Sequence, residues 1–155
     1  MSKKDLDFAL IGRFDRKLDA TRRVRLPAEW LSLMGNPKCI VVLRDPEEKC
    51  LNLVSESVCA AQIKKLRRRS AKDAEARDEL RLLDGAVEHL AVNARHCIRI
   101  SDNLLSSAGI KGRVSFLGCV RYMKLWDPRV LSKAEADSEA ELKPELAALL
   151  ADNGW

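Results

Sequence analysis

An internal repeat constrains the fold of this chain more than any other feature. Residues 18–35 recur as residues 92–109 at a constant offset of 74 positions. The match continues from 40–43 to 114–117, and then from 50–55 to 122–127 at an offset of 72, so one turn is shorter in the second copy. Two copies of one supersecondary unit predict a pseudo-symmetric fold. Each copy is predicted to run strand, turn, strand, short helix, strand, turn, strand.

The second strand of each copy alternates apolar and basic residues. It reads Val-Arg-Leu at 24–26 and Ile-Arg-Ile at 98–100. Side chains alternate between the two faces of a strand, so the apolar residues are expected in the core and Arg25 and Arg99 on the outer face.

A short helix follows each of these strands, at 28–34 and 102–108. Ser101 is a suitable N-cap and Pro27 is compatible with a helix start, while Gly35 and Gly109 stand where a helix needs a left-handed terminating residue. Helices of two turns are not stable alone. They are expected to dock on the core through Trp30, Leu31, Leu104 and Leu105.

A charged segment, 55–84, lacks Gly and Pro and is predicted to be helical. Ser55 or Ser57 is expected to cap it, a break at 70–73 to divide it, and Gly85 to end it. The basic run at 64–69 is more typical of a solvated helix face than of a nucleic-acid contact. Apolar stripes are predicted from Val58, Ile63, Leu66, Leu80, Leu82, Leu83 and Val87.

The charge is unevenly distributed. Residues 132–155 hold two lysines and six acidic residues, a net charge of −4, and because the whole chain carries +5, residues 1–131 carry +9. A basic body suits a polyanionic partner, although an excess of cations also serves solubility. The acidic tail is expected to pack on the body or on a neighbouring subunit through a leucine stripe: Leu142, Leu146, Leu149 and Leu150.

Several classes of protein and site are disfavoured. No apolar run approaches the roughly 20 residues of a membrane span, and the first 15 residues lack the apolar stretch of a signal peptide, so we expect a cytoplasmic protein.

The five cysteines are widely spaced with no C-x-x-C pair, which predicts buried small hydrophobes, no disulfide framework and no metal site. No small-molecule substrate or cofactor is indicated. The cysteines are Cys39, Cys50, Cys59, Cys97 and Cys119.

The candidate chemistry lies at the turn between the first two strands of each copy. In the first copy a hairpin tip carries a dense cationic patch, and guanidinium groups on a β-ribbon can reach phosphates and base edges. Asp19 is expected to accept backbone N–H groups of the turn, or to orient Arg23, and Asn93 is its counterpart. The candidate DNA-binding residues are Arg16, Lys17, Thr21, Arg22, Arg23, Arg25, Arg95, His96 and Arg99.

These residues resemble the MraZ family of bacterial transcriptional regulators. The resemblance runs from about Phe8 to Leu131 and rests on a D-x-x-x-R turn, the apolar-basic-apolar strand with Pro, a second copy closed by A-G-I, and a K-L-W-D segment. The chain departs from the family where Arg22 and His96 replace the usual Gly of the two turns. The second D-x-x-x-R has become Asn93 and Cys97, which removes a permanent cation.

The resemblance implies an α+β fold with two AbrB-like swapped-hairpin halves in one intertwined, barrel-like β core. It implies a ring-shaped homo-oligomer that binds repeated boxes of double-stranded promoter DNA, in the division and cell-wall gene cluster and its own promoter, at the nucleoid. The implied parts are a first half at 7–55, a helical connector at 56–86, a second half at 87–131, and an acidic tail at 132–155 that is partly helical or disordered.

Other functions stay open at this point. A non-specific nucleic-acid-binding or structural ring and an AbrB-like antitoxin with a protein partner are alternatives. Sequence-specific RNA binding is disfavoured because aromatic residues are only 5% of the chain and Trp30 and Trp126 are expected in the core. An enzyme is not expected, because Cys97 and His96, which look like a nucleophile beside a base, are neighbours in a strand and point to opposite faces.

Overall fold

The structure is a computed structural model that describes residues 9–152, without the side chains of residues 82–86, 139–143, 145–147, 149–150 and 152. Its elements follow the predicted order in both copies. The strands are β1 (Arg13–Lys17), β2 (Arg23–Arg25), β3 (Cys39–Arg44), β4 (Leu51–Ser55), β5 (Glu88–Ala91), β6 (Cys97–Arg99), β7 (Arg113–Gly118) and β8 (Met123–Trp126). The helices are α1 (Ala28–Leu33), α2 (Glu56–Ser70), α3 (Ala74–Ala86), α4 (Asp102–Ser107) and α5 (Pro128–Asp152).

The strand order reflects the internal repeat. Six strands form one antiparallel sheet in the order β1-β7-β8-β4-β3-β5, and β2 pairs with β6 in a separate two-stranded ribbon. The repeat matches β1–β4 of the first half with β5–β8 of the second half. If each strand is replaced by its match, the sheet order is the same when it is read from the opposite edge. The first strand of each half pairs with the third strand of the other, as in Arg16 opposite Val114 and Leu90 opposite Ile40. The α+β class is confirmed, with the two halves interleaved in one sheet.

The short helices dock as predicted. Trp30, Leu31 and Leu104 are almost fully buried, and Leu105 is also in the core. The Ser101 hydroxyl caps α4 by accepting a hydrogen bond from the Leu104 amide at 3.3 Å. Each helix ends one residue before its predicted end, and the glycines that follow, Gly35 and Gly109, have φ of +85° and +66°. These are the left-handed conformations that glycine adopts without a steric cost.

The connector is two helices, as predicted. The Ser55 hydroxyl accepts from the Val58 amide at 3.3 Å and so caps α2, and the Asp73 carboxylate accepts from the Glu75 amide at 3.0 Å at the start of α3. The prediction that Gly85 ends the segment is wrong, because α3 continues through it to Ala86. Val58, Ile63 and Leu66 are half-buried, whereas the side chains of Leu82 and Leu83 lie outside the described residues.

The last described element, α5, is a long helix whose first turns pack on the body. Leu131 of α5 packs with Cys50 and Trp126, and Glu135 forms an ion pair with Arg13 at 3.4 Å. The predicted leucine stripe at 142–150 and residues 1–8 lie outside the described side chains. No helix in the described part of the chain combines the length and the apolar character that a membrane crossing requires.

The expectation that the cysteines are buried small hydrophobes is only partly right. Cys50 and Cys59 are buried, but Cys39, Cys97 and Cys119 are partly exposed. The physical reason is their position: Cys39 and Cys97 are the first residues of β3 and β6, and Cys119 directly follows β7. Strand ends are less completely covered than strand centres.

Candidate nucleic-acid interface

The turn that precedes β2 is organised by one carboxylate. Asp19 Oδ1 accepts hydrogen bonds from the Thr21 amide at 2.8 Å, the Thr21 hydroxyl at 2.7 Å and the Arg23 amide at 2.9 Å. The backbone closes around it, with the Arg22 amide donating to the Asp19 carbonyl at 3.0 Å. The hydrogen bond from the Arg23 amide is the largest of the influences that lower the pKa of Asp19. The carboxylate is therefore ionised at neutral pH and engaged with the turn.

The turn that precedes β6 has the same geometry with a neutral residue. Asn93 Oδ1 accepts from the Arg95 and Cys97 amides, both at 2.9 Å, and the His96 amide donates to the Asn93 carbonyl at 3.0 Å. Each turn holds one residue in the left-handed region, Arg22 at φ +64° and His96 at φ +63°. At these two positions the proteins that this chain resembles usually have glycine. Glycine suits them because it adopts a positive φ without a steric cost.

The two turns serve one ribbon built from both halves. The predicted hairpin of β1 with β2 is wrong, because β1 pairs with β7 and β2 pairs with β6. Across the first turn, the Asp19 amide donates to the Arg23 carbonyl at 2.9 Å, which closes the turn without extending into a β1–β2 ladder. Since β2 and β6 are antiparallel, their turns lie at opposite ends of the ribbon.

The outer face of the ribbon is cationic. Val24 and Ile98 lie opposite each other and are buried, whereas Arg23, Arg25 and Arg99 are exposed. Arg23 lies directly opposite Arg99. Among the described residues, no ion pair holds any of these three arginines, so their guanidinium groups are free to bind an anion. We call Arg23, Arg25 and Arg99 the arginine ribbon.

The remaining candidate residues lie in the two turns or in the large sheet. Arg22 is half-buried and forms an ion pair with Asp102 at the start of α4, a partner that the sequence analysis missed. Arg95 is exposed in the second turn, and Thr21 is turned towards Asp19.

Arg16 and Lys17 belong to β1 in the large sheet, where Lys17 lies opposite Arg113. Arg16 also lies over the Phe14 ring, with 5.2 Å between the guanidinium carbon and the ring centroid.

Cys97 and His96 show no nucleophile–base contact. The Cys97 thiol donates to the Arg95 carbonyl oxygen at 3.6 Å. His96 Nδ1 is buried and has no hydrogen-bond partner among the residues that the structure describes. Trp30 and Trp126, the aromatic residues considered for stacking on RNA, are buried as predicted.

Comparisons with known proteins identify relatives of one kind. The chain is 28% identical over 131 residues to the transcriptional regulator MraZ of Tropheryma whipplei, covering 84% of this chain and 89% of that protein. It is 26% identical over 121 residues to the transcriptional regulator MraZ of Azorhizobium caulinodans, covering 76% of each chain. No family model matches. The two similarities support the membership of this chain in the MraZ family as a divergent member.

Proposed function

We propose that this protein is a sequence-specific, DNA-binding transcriptional regulator that contacts double-stranded DNA through the arginine ribbon. One observation carries the proposal: three arginines lie exposed on one face of a two-stranded ribbon whose other face is buried. Both relatives named above are transcriptional regulators.

A two-stranded ribbon with arginines on its exposed face suits the major groove of DNA. That groove is about 12 Å wide and admits a two-stranded ribbon. Arginine presents five donors in a planar fork, which suits phosphate oxygens and the acceptor edge of guanine. The turns at the ends of the ribbon then bring Arg95 and Thr21 towards the DNA backbone, and Arg16 and Lys17 add positive potential beside it.

Assembly strengthens weak contacts. We propose that the interleaved halves are the AbrB-like swapped-hairpin arrangement that the family resemblance implies, and that subunits join in a ring on repeated promoter boxes, the protein's own promoter included. A few phosphate contacts per subunit give weak, salt-sensitive binding. Linking sites on spaced boxes raises avidity by roughly 10²–10⁴-fold. The proposed location is the cytoplasm, at the nucleoid, and no catalytic activity or cofactor is part of the proposal.

Gel-shift titration of Arg23→Ala tests the proposal. The probe is the DNA upstream of the protein's own gene. Arg23→Ala is expected to weaken binding by roughly 10–100-fold or more, because a lost arginine contact recurs in every subunit. Cys97→Ala is expected to bind like wild type. Arg121→Ala, which removes an exposed arginine from the β7–β8 turn, is the matched control. Unchanged affinity for Arg23→Ala with a normally folded protein contradicts the assignment.

Competitor nucleic acids separate the alternatives. If unrelated duplex DNA competes as well as the upstream DNA at the same salt concentration, the protein is a non-specific binder. If single-stranded RNA competes better than the upstream DNA, it is an RNA-binding protein. Native mass spectrometry on the same samples counts subunits. The ring is contradicted if the wild-type protein binds the upstream DNA specifically while it is a monomer.

A further inference from the structure

Three metal-ligating side chains from different parts of the chain meet at one end of the large sheet. The Cys39 thiol sulfur lies 3.9 Å from His89 Nδ1, and Glu56 Oε1 lies 3.6 Å from the same nitrogen. All three ligand atoms lie within 4.8 Å of one another. This cluster is separate from the arginine ribbon.

The sheet register explains why these residues meet. Cys39 pairs with Ala91 and Val41 with His89, so Cys39 and His89 are diagonal neighbours on one face of β3 and β5. On the other side of β3, Ile40 pairs with Ser55, and one further step of that register places Glu56 opposite Cys39. Three adjacent chain segments thus present one ligand each, in a row across the sheet.

We propose that Cys39, Glu56 and His89 bind a divalent cation of the zinc type. A thiolate, an imidazole and a carboxylate form a donor set that suits Zn²⁺, whereas Mg²⁺ and Ca²⁺ prefer oxygen alone. This site corrects the prediction of no metal site, which rested on widely spaced cysteines without a C-x-x-C pair; here 16 and 32 residues separate the successive ligands. No short motif signals a site assembled by strand pairing.

The spacing fits a tetrahedral ion. Bonds of about 2.3 Å to sulfur and 2.0–2.1 Å to nitrogen, at tetrahedral angles, separate the two donors by about 3.6 Å. The observed 3.9 Å requires only a small side-chain adjustment. The side chains of Glu56 and His89 are each 61% exposed, so an ion can enter from solvent. Three protein ligands leave the fourth position to water, and the thiol proton is released to solvent on binding.

Bound metal would join three elements at the edge of the sheet. β5 is a terminal strand of the sheet, and Glu56 is the first residue of α2. A shared ion therefore links the edge strand, its neighbour β3 and the start of the helical connector. Because the ion binds the folded chain, it is expected to raise the melting temperature, and the rise grows with the logarithm of the free ion concentration once this exceeds the dissociation constant.

Cobalt titration of the full-length, reduced protein tests the site. Co²⁺ is the probe, since a thiolate ligand gives a sulfur-to-cobalt charge-transfer band in the near ultraviolet. Wild type is expected to bind one Co²⁺ per subunit with this band, and Zn²⁺ is expected to displace it. Cys39→Ser is expected to abolish the band. His89→Gln, which removes a direct ligand, is expected to weaken binding by more than the roughly tenfold that the loss of an outer-shell partner costs.

Matched variants keep the result interpretable. Cys119→Ser removes another partly exposed cysteine, and it is expected to keep both the band and the affinity. Circular dichroism without metal checks that each variant is folded, and if Cys39→Ser is not, Glu56→Gln together with His89→Gln replaces it. Absence of the band in wild type, or its persistence in a folded Cys39→Ser protein, overturns the proposal. DNA binding plays no part in the measurement, so failure here leaves the regulatory function untouched.

Discussion

Arg25 lies directly opposite Cys97 in the two-stranded ribbon. The repeat equates Cys97 with Arg23 and Arg99 with Arg25, so the pair at the other end of the ribbon, Arg23 with Arg99, is the symmetry equivalent of this one. One pair therefore holds two arginines and the other holds only one. The ribbon is cationic along its length but asymmetric in charge at its two ends.

Cys97→Arg restores the missing guanidinium group and is expected to increase DNA affinity. One added phosphate contact per subunit steepens the dependence of binding on salt by about one unit of slope, and at low salt the affinity rises several-fold or more. Arg23 and Arg99 already tolerate the same like-charge juxtaposition, so the fold is expected to be retained. Fluorescence anisotropy at several salt concentrations measures the slope. Cys97→Ala is the control, and an unchanged slope for Cys97→Arg would place the second half away from DNA.

The repeat predicts much of the fold because periodic patterns and caps are local. The alternation at 24–26, the cap at Ser101 and the glycines at 35 and 109 each depend on a few neighbouring residues, and each is confirmed. Strand partners are not local. Arg23 is four residues from Asp19 in the chain, yet its β-strand partner is Arg99 in the other half.

The same limit applies to the candidate sites. Residue type and alternation predict that Arg25 and Arg99 lie on an outer face, but not that both lie on one ribbon with Arg23. The Arg22–Asp102 ion pair and the Cys39–Glu56–His89 cluster depend on tertiary contacts between distant segments. Such contacts leave no periodic or spaced pattern in the sequence.

Asn93→Ala is expected to destabilise the second turn. The substitution removes the acceptor of two backbone hydrogen bonds, from the Arg95 and Cys97 amides. By analogy with helix caps of the same chemistry, the loss is about 0.5–2 kcal/mol in the free energy of unfolding. Urea denaturation measures it. Asn93→Asp is the matched control, since Asp19 makes the equivalent hydrogen bonds in the first turn. Equal stability for the alanine and aspartate variants would show that the side chain does not hold this turn.

Asp45 is expected to make stability fall in acid. Burial acts to raise the pKa of this carboxyl, but amide hydrogen bonds from Glu48 and Glu47, with Asn52 and the charge of Lys124, lower it overall below 3.8. Because the folded-state pKa is lower than the unfolded one, the native state binds fewer protons in acid. The stabilisation is therefore present above about pH 4 and is lost as the pH falls through the folded-state value.

The pH dependence can be assigned with one substitution. Asp45→Asn is expected to be less stable than wild type at pH 7 and to lose part of the acid slope, measured as the free energy of unfolding in urea between about pH 2 and pH 6. Asp15 and Asp19, whose pKa values are also lowered, retain the rest of the slope. A slope identical to that of wild type would mean that Asp45 does not contribute.

His96→Gly is expected to stabilise the protein. His96 has φ of +63°, which costs an L-residue roughly 1–2 kcal/mol, and its buried Nδ1 has no hydrogen-bond partner among the described residues. Glycine removes both costs but adds backbone entropy to the unfolded chain, so the expected net gain is about 1 kcal/mol or less. His96→Ala is the control, because it removes the imidazole and keeps the Cβ atom. If His96→Ala stabilises the protein as much as His96→Gly does, the cost comes from the imidazole nitrogen and not from the backbone conformation. If neither variant is more stable than wild type, the prediction is wrong.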